Sequence, residues 1–330
     1  MTDAPSNSAS PSPSPASRPG SRLTHDVPWP GLAAYWEADR DFFFGRSRET
    51  AELLRIVRRD PFVLLTGAAG VGKTSLLLAG VFPVLREEGF LPVRIRLDWT
   101  DSTDERPLSV QVLECLTTAA KSEGVDGGTI AENDSLWEAF HRAGQRWWNA
   151  RQQVVVPVLV IDQAEELFTH GRATLRRRQR TDRLIEELAQ LVENRAPARV
   201  ATLLEKSEQK PDAFSFEAAP VRIVLSVREE SLSHVRPLRG VFPSMGRSEQ
   251  RLLPFSTSQA REAIAKPSAQ NDLLTEGTAD AIVRFLADGS GSETPVFPTH
   301  LSILGRELAL ARQQKGSGQI STDALQSSPS

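Results

Sequence analysis

The 330-residue chain has one cysteine, Cys115, so it can form no disulfide within itself. Long apolar runs are missing too. The longest, Val154 to Ile161, has eight residues and contains Pro157, well short of the roughly 20 a bilayer-spanning helix needs. No charged-then-apolar segment opens the sequence in the manner of a secretion signal. Neither charge is in marked excess: 39 Lys plus Arg stand against 42 Asp plus Glu, a net charge of -3. That balance removes any broad electrostatic case for nucleic acid or an acidic membrane surface and leaves only local patches. Together these absences exclude a disulfide scaffold and a membrane-spanning chain, and a soluble cytoplasmic protein is the expectation. Lysine is also scarce, with six residues, so a lysine in a conspicuous place is informative.

What is present reads as globular. With 39% hydrophobic and 25% charged residues, the chain can build one large core and a smaller satellite. Residues 1–24 are mostly Ser, Pro and Ala, with too little apolar surface to offset ordering entropy, and read as a disordered tail. Beyond them, strand and helix signals alternate. A helix over 48–59 ends at Asp60-Pro61, a buried strand covers 62–66, and a helix runs from Thr74 to about Leu85. Strands follow at 92–99, 154–162 and 221–228, with a helical stretch containing 135–151 between the first two. Strands separated by helices imply a parallel sheet covered on both faces, an α/β fold. From Phe255 the strand signal stops and three helices follow. The expected organisation is therefore an α/β domain over 25–254 and a small all-helical domain over 255–330.

At the end of the first buried strand the chain gives up its side chains. Gly67, Ala68, Ala69, Gly70, Val71 and Gly72 hold nothing larger than valine, and Lys73, Thr74 and Ser75 follow at the start of a helix. This is G-x-x-x-x-G-K-[ST] between a strand and a helix, the context that marks a phosphate-binding P-loop. Backbone N–H groups can then turn inward on phosphate oxygens, with the helix N-terminus adding its positive end. Lys73 supplies a point charge for the β and γ phosphates, and the Thr74 hydroxyl is placed to ligate Mg²⁺.

A P-loop site needs a second oxygen ligand for the metal, and Asp162 ends a buried apolar strand where it can serve. Glu165 and Glu166 follow within a turn, and one of them could orient or activate a water, the spacing leaving open which. An ordinary acidic helix start is the competing reading. Ser226 and Arg228 leave the strand 221–228 on the ligand side, where Arg228 could meet a terminal phosphate; the competing reading pairs it with Glu229 or Glu230.

Taken in order, "PGLAAYWEADRDFFFGRSRE", the P-loop, "VIDQAEELF", "VLSVREE", "LLPFSTSQAREAIAKP" and "PTHLSILGREL" resemble the novel STAND NTPases, relatives of the NACHT and AP-ATPase regulators. The resemblance spans about Pro28 to Asp323. It implies an hhGRxxE motif near the adenine at Phe43, Phe44, Gly45, Arg46 and Glu49, a γ-phosphate sensor at Arg228, and a proline near the base at Pro298. It also implies ATP or ADP with Mg²⁺ as cofactors, and protein partners or self-association on activation. Two positions depart from the pattern: the helical-domain G-x-P reads Val296-Phe297-Pro298, and Glu229 stands where an aspartate is usual. The winged helix, sensor repeats and effector usual in such proteins are not legible, so the chain is expected to be a fragment or to work with partners.

Other constellations are weaker. The basic run 170–183 lacks interleaved aromatics and reads as a solvated helix face, so no nucleic-acid site is expected. His170 has no neighbours at zinc-ligand spacing. Residues 195–220 read as a flexible insertion, and Trp147 and Trp148 as packing residues. The expectation is an ATP-dependent switch, ADP-bound at rest and ATP-bound when active, with slow hydrolysis. An AAA+-like motor and a nucleotide-binding scaffold without significant turnover are the alternatives; a GTPase would need an N-K-x-D motif, which does not occur.

Overall fold

A computed structural model describes residues 23–100, 107–131, 133–206, 213–287, 295–316 and 318–326. The tail read as disordered lies outside them except for Leu23 and Thr24. The strands are β1 (Phe62–Gly67), β2 (Phe90–Ile95), the two-residue β3 (Trp147–Trp148), β4 (Val154–Ile161), β5 (Arg222–Arg228) and β6 (Glu249–Leu252). Five form a parallel sheet in the order β2-β4-β5-β1-β6, and β3 joins the start of β4 antiparallel, with Trp147 opposite Val155.

Alternation along each strand covers both faces. From β1, Val63 and Leu65 face a core shared with Leu53 and Ile56 of the helix Ser47–Arg59 and with Leu76 and Leu77 of the helical run after the P-loop. Phe62 and Leu64 face the opposite core, with Val112 and Leu116 of the helix Leu108–Ser122 and Leu184 and Leu188 of the helix Leu175–Val192. Each large side chain fully withdrawn from water contributes about 1.5–3 kcal/mol. A strand buried on both faces must read as one apolar run, so β1, β4 and β5 were legible. The edge strand β6, Glu-Gln-Arg-Leu, carries no such run and was not expected.

Two expectations are corrected. The helix within 135–151 covers only Leu136–His141, capped by Ser135. The chain then leaves helical geometry at Arg142, and Trp147 and Trp148 pair with β4, so sheet pairing overrides the local pattern. The supposed flexible insertion holds the helix Ala198–Lys206. Beyond residues 207–212, which fall outside the described set, Phe214 and Phe216 pack on buried Trp137 with ring centroids 5.8 and 5.6 Å away.

The C-terminal region is helical, as expected, with helices Thr257–Ser268, Thr278–Leu286 and Pro298–Gln314 around a separate core that includes Ile264, Ile282 and Leu301. Trp29, from the segment before the sheet, is part of that core and donates its indole N–H to the Ala263 carbonyl at 3.3 Å. Gly305 makes room for it: a Cβ there would lie 2.7 Å from the indole. An N-terminal strap is thus packed into the last helices before the chain enters the sheet. Among the described residues no helix is long and apolar enough to cross a membrane.

Candidate functional site

Parallel register brings the strand ends level. Gly67 of β1 lies opposite Arg228 of β5, and Ile161, just before Asp162, lies opposite Ile95 of β2 and Leu225 of β5. A cavity of about 470 Å³ opens at this edge between the P-loop, the strap around Tyr35 and Trp36, and the start of the helix Pro298–Gln314.

The P-loop turns tightly. Gly70 sits at φ +72°, and a Cβ there would lie 2.8 Å from the Thr299 hydroxyl, so the loop needs glycine both for its backbone and for its neighbour. Ala68 is half-buried, Ala69 is exposed and lines the cavity, and the Val71 side chain is fully buried in the core. Lys73 Nζ donates to the carbonyls of Gly67 at 2.7 Å and Ala68 at 3.0 Å, and burial pushes its pKa down. Two of its three donors are thereby used. Ser75 Oγ accepts the Tyr35 backbone N–H at 3.2 Å, tying the strap to the P-loop helix.

Asp162 is buried at the end of β4. Thr74 Oγ1 donates to it, 3.1 and 3.2 Å from its two oxygens. Arg94 of β2 adds two N–H groups to Oδ2, at 3.0 Å from Nε and 2.7 Å from an Nη. After Asp162, Gln163 takes a left-handed turn at φ 61° into the short 3-10 helix Ala164–Leu167, which separates the two glutamates. Glu165 lines the cavity, forms an ion pair with Arg228 at 2.9 Å from Nε, and accepts the Arg228 backbone N–H at 3.3 Å. Glu166 instead accepts the indole N–H of Trp99 at 3.1 Å and is not among the cavity-lining residues. Arg228 therefore pairs with Glu165, not with its sequence neighbours, and Glu229 pairs with Arg251 at 2.9 Å. Ser226 lines the cavity with a buried hydroxyl that has no hydrogen-bond partner among the described residues.

The remaining expected residues lie on the seam with the helical region. Arg46, 2% exposed, donates to Glu49 at 2.8 Å and to the carbonyls of Val71 at 3.0 Å and Leu253 at 2.9 Å, with Phe255 beneath its guanidinium. It lines the cavity but gives its hydrogen bonds to protein, pinning the P-loop to the chain leaving β6. Burial lowers its pKa, opposed by the bond and charge of Glu49. Phe43 and Phe44 also line the cavity, while Gly45 packs against Gln259 and Phe255. Pro298 opens its helix beside Gly72, and Thr299 donates to the Gly70 carbonyl at 2.6 Å.

Sequence reading missed Arg94, Thr299 and Tyr35. Only Arg94 left a trace, as a charged residue in an otherwise apolar strand. Besides Arg46, the lining has Lys73, Arg94, Arg96 and Arg228 against the carboxylates Asp162 and Glu165, an arrangement suited to an anion. A nucleotide with a divalent cation fits this donor set. Thr74 and Asp162 provide adjacent hard oxygens, and the Ser226 hydroxyl and the Lys73 ammonium retain unused hydrogen-bonding capacity.

A family model described as Novel STAND NTPase 1 matches residues 28–302. No curated protein matches the chain. Among solved structures, the ORC2 protein of Aeropyrum pernix, determined as ADPNP-ADP complexes, aligns with a TM-score of 0.54 at 12% identity over 84% of this chain. A Walker-type ATPase of Pyrococcus abyssi aligns with a TM-score of 0.51 at 16% identity over 86% of this chain. This chain spans 65% of the first and 73% of the second, and at these identities the likeness is one of fold.

Proposed function

Because this chain belongs to the novel STAND NTPase 1 family, and so is a nucleotide-binding P-loop NTPase, we propose that it works as a switch, resting with ADP and active with ATP. The observation that carries this reading is the direct contact of the C-terminal helices with the P-loop, Thr299 Oγ1 to the Gly70 carbonyl and Pro298 beside Gly72. An occupant of the loop then acts on the helical region as well, and a contact made to one nucleotide only biases how the two regions sit. In this reading residues 25–254 and 255–330 are two domains with the nucleotide between them.

Thr74 and Asp162 would hold Mg²⁺, which would neutralise phosphate charge when bound. Lys73 exchanges a loop carbonyl for a phosphate oxygen, and Ser226 gives its hydroxyl to the same ligand. Arg228 distinguishes ATP from ADP. In the free protein it is paired with Glu165, and a γ-phosphate competes for its guanidinium. Glu165 Oε1 is then free to orient a water and accept its proton, so the residue that senses ATP also releases the base that ends the active state. Pairing that must first be broken is consistent with slow hydrolysis.

Small-angle scattering with ADP and with a non-hydrolysable ATP analogue tests the switch. The wild type should differ in compactness between the two, and Arg228→Ala should give the ADP profile with both. Identical wild-type profiles at saturation would favour a scaffold that merely holds nucleotide.

A further inference from the structure

We propose that Arg94 is a counter-ion that the divalent cation must displace from Asp162, and that it thereby sets how strongly nucleotide binding depends on that cation. This rests on the nucleotide reading above but concerns a residue outside it. The Asp162 side chain is 2% exposed and the Arg94 side chain 20%, a nearly dry carboxylate against a guanidinium that still reaches the cavity. A carboxylate so buried needs a positive partner, and Arg94 fills that role. Both guanidinium bonds fall on Oδ2, which also lies 3.2 Å from Thr74 Oγ1. Thr74 is the donor in that contact and keeps its own lone pairs, so the oxygen that a hard cation has to win from Arg94 is Asp162 Oδ2.

Arg94 has a second support that does not depend on Asp162. Its Cζ lies 5.2 Å from the centroid of the Trp36 ring, within cation–π range, and the cavity is open beside it. The rest of the pair cannot yield as easily. Asp162 sits at the end of a central strand, and Arg94 is held on β2 opposite Val160, so a change of Arg94 side-chain torsions is enough to vacate Oδ2. The arrangement has two consequences. With nucleotide but no cation, Arg94 masks the Asp162 charge from the phosphates. With the cation present, part of its binding free energy goes into separating the pair.

Calorimetry with ADP and with a non-hydrolysable ATP analogue, in Mg²⁺ and in chelator, tests this on the full chain. Arg94→Gln should weaken binding in chelator about tenfold and lower the Mg²⁺ concentration at half-effect, so the Mg²⁺-to-chelator affinity ratio rises. In an Asp162→Asn background the same substitution should leave that ratio unmoved. Arg94→Lys, which keeps a charge but loses the fork, should fall between; if Arg94→Gln fails to fold, this variant carries the test with a smaller shift in the same direction. A ratio unchanged in folded Arg94 variants overturns the inference and leaves the proposed function standing, because Arg94 would then be a fixed structural partner. Failure of the wild-type chain to bind either nucleotide overturns both.

Discussion

Arginines at the two ends of the cavity are paired in opposite ways. At the P-loop end, Arg94 and Arg228 each hold one carboxylate and remain 20% and 51% exposed in their side chains. At the seam with the helical region, Arg46 is 2% exposed and divides its donors among Glu49, Val71 and Leu253. An arginine with one partner and an open cavity can exchange that partner for a ligand. One with several protein partners and no access to water cannot. The difference separates residues that respond from residues that hold.

The largest expected effect tests the holding end. Arg46→Ala strips the counter-charge from Glu49, which keeps only the Gln259 amide as a side-chain donor, and takes the guanidinium from the Val71 and Leu253 carbonyls, so it should destabilise the fold by about 3–5 kcal/mol in denaturant unfolding. Arg228→Ala, removing a half-exposed guanidinium from Glu165, which still accepts the backbone N–H of residue 228, should cost less, about 1 kcal/mol, by the same measurement. Equal costs would erase the distinction. Next in size, Lys73→Ala should weaken nucleotide binding about ten- to hundredfold in a fluorescence titration while leaving the unfolding midpoint nearly unchanged.

The glutamates sharpen the responding end. Glu165→Gln should retain ATP but slow its cleavage in single-turnover assays, whereas Glu166→Gln, its carboxylate bound to Trp99, should cleave normally. The reverse result would move the base away from the Arg228 partner. A smaller effect is expected for Thr299→Val, which removes one hydrogen bond to the P-loop and should lower stability by about 0.5–1.5 kcal/mol while loosening the nucleotide-dependent change in compactness.

The smallest effect is one of pH. Burial tends to raise the Glu49 carboxyl pKa, but hydrogen bonds from Gln259 and Arg46 outweigh it and hold the group below its ordinary 4.5. A carboxylate depressed on folding adds stability above its unfolded pKa and loses it as pH falls through the folded value. The stability gap between wild type and Glu49→Gln should therefore narrow as pH drops below 4.5, measured by unfolding across an acid series. A gap independent of pH would show that Glu49 acts through packing alone.

The sequence alone determined the parallel α/β plan, the helical region after it and the P-loop, because each is written in consecutive residues. A doubly buried strand must be apolar throughout, and a loop that presents backbone N–H groups must lose its side chains. The edge strand β6 and the pairing of Trp147 and Trp148 were not written that way, since one lacks an apolar run and the other depends on a strand already in place. Tertiary structure decided how the charges combine. Arg94 and Asp162 are 68 residues apart, and Thr299 and Gly70 are 229 apart. No local pattern records such partners, because a charged side chain is compatible with many neighbours until the register of the sheet leaves it one.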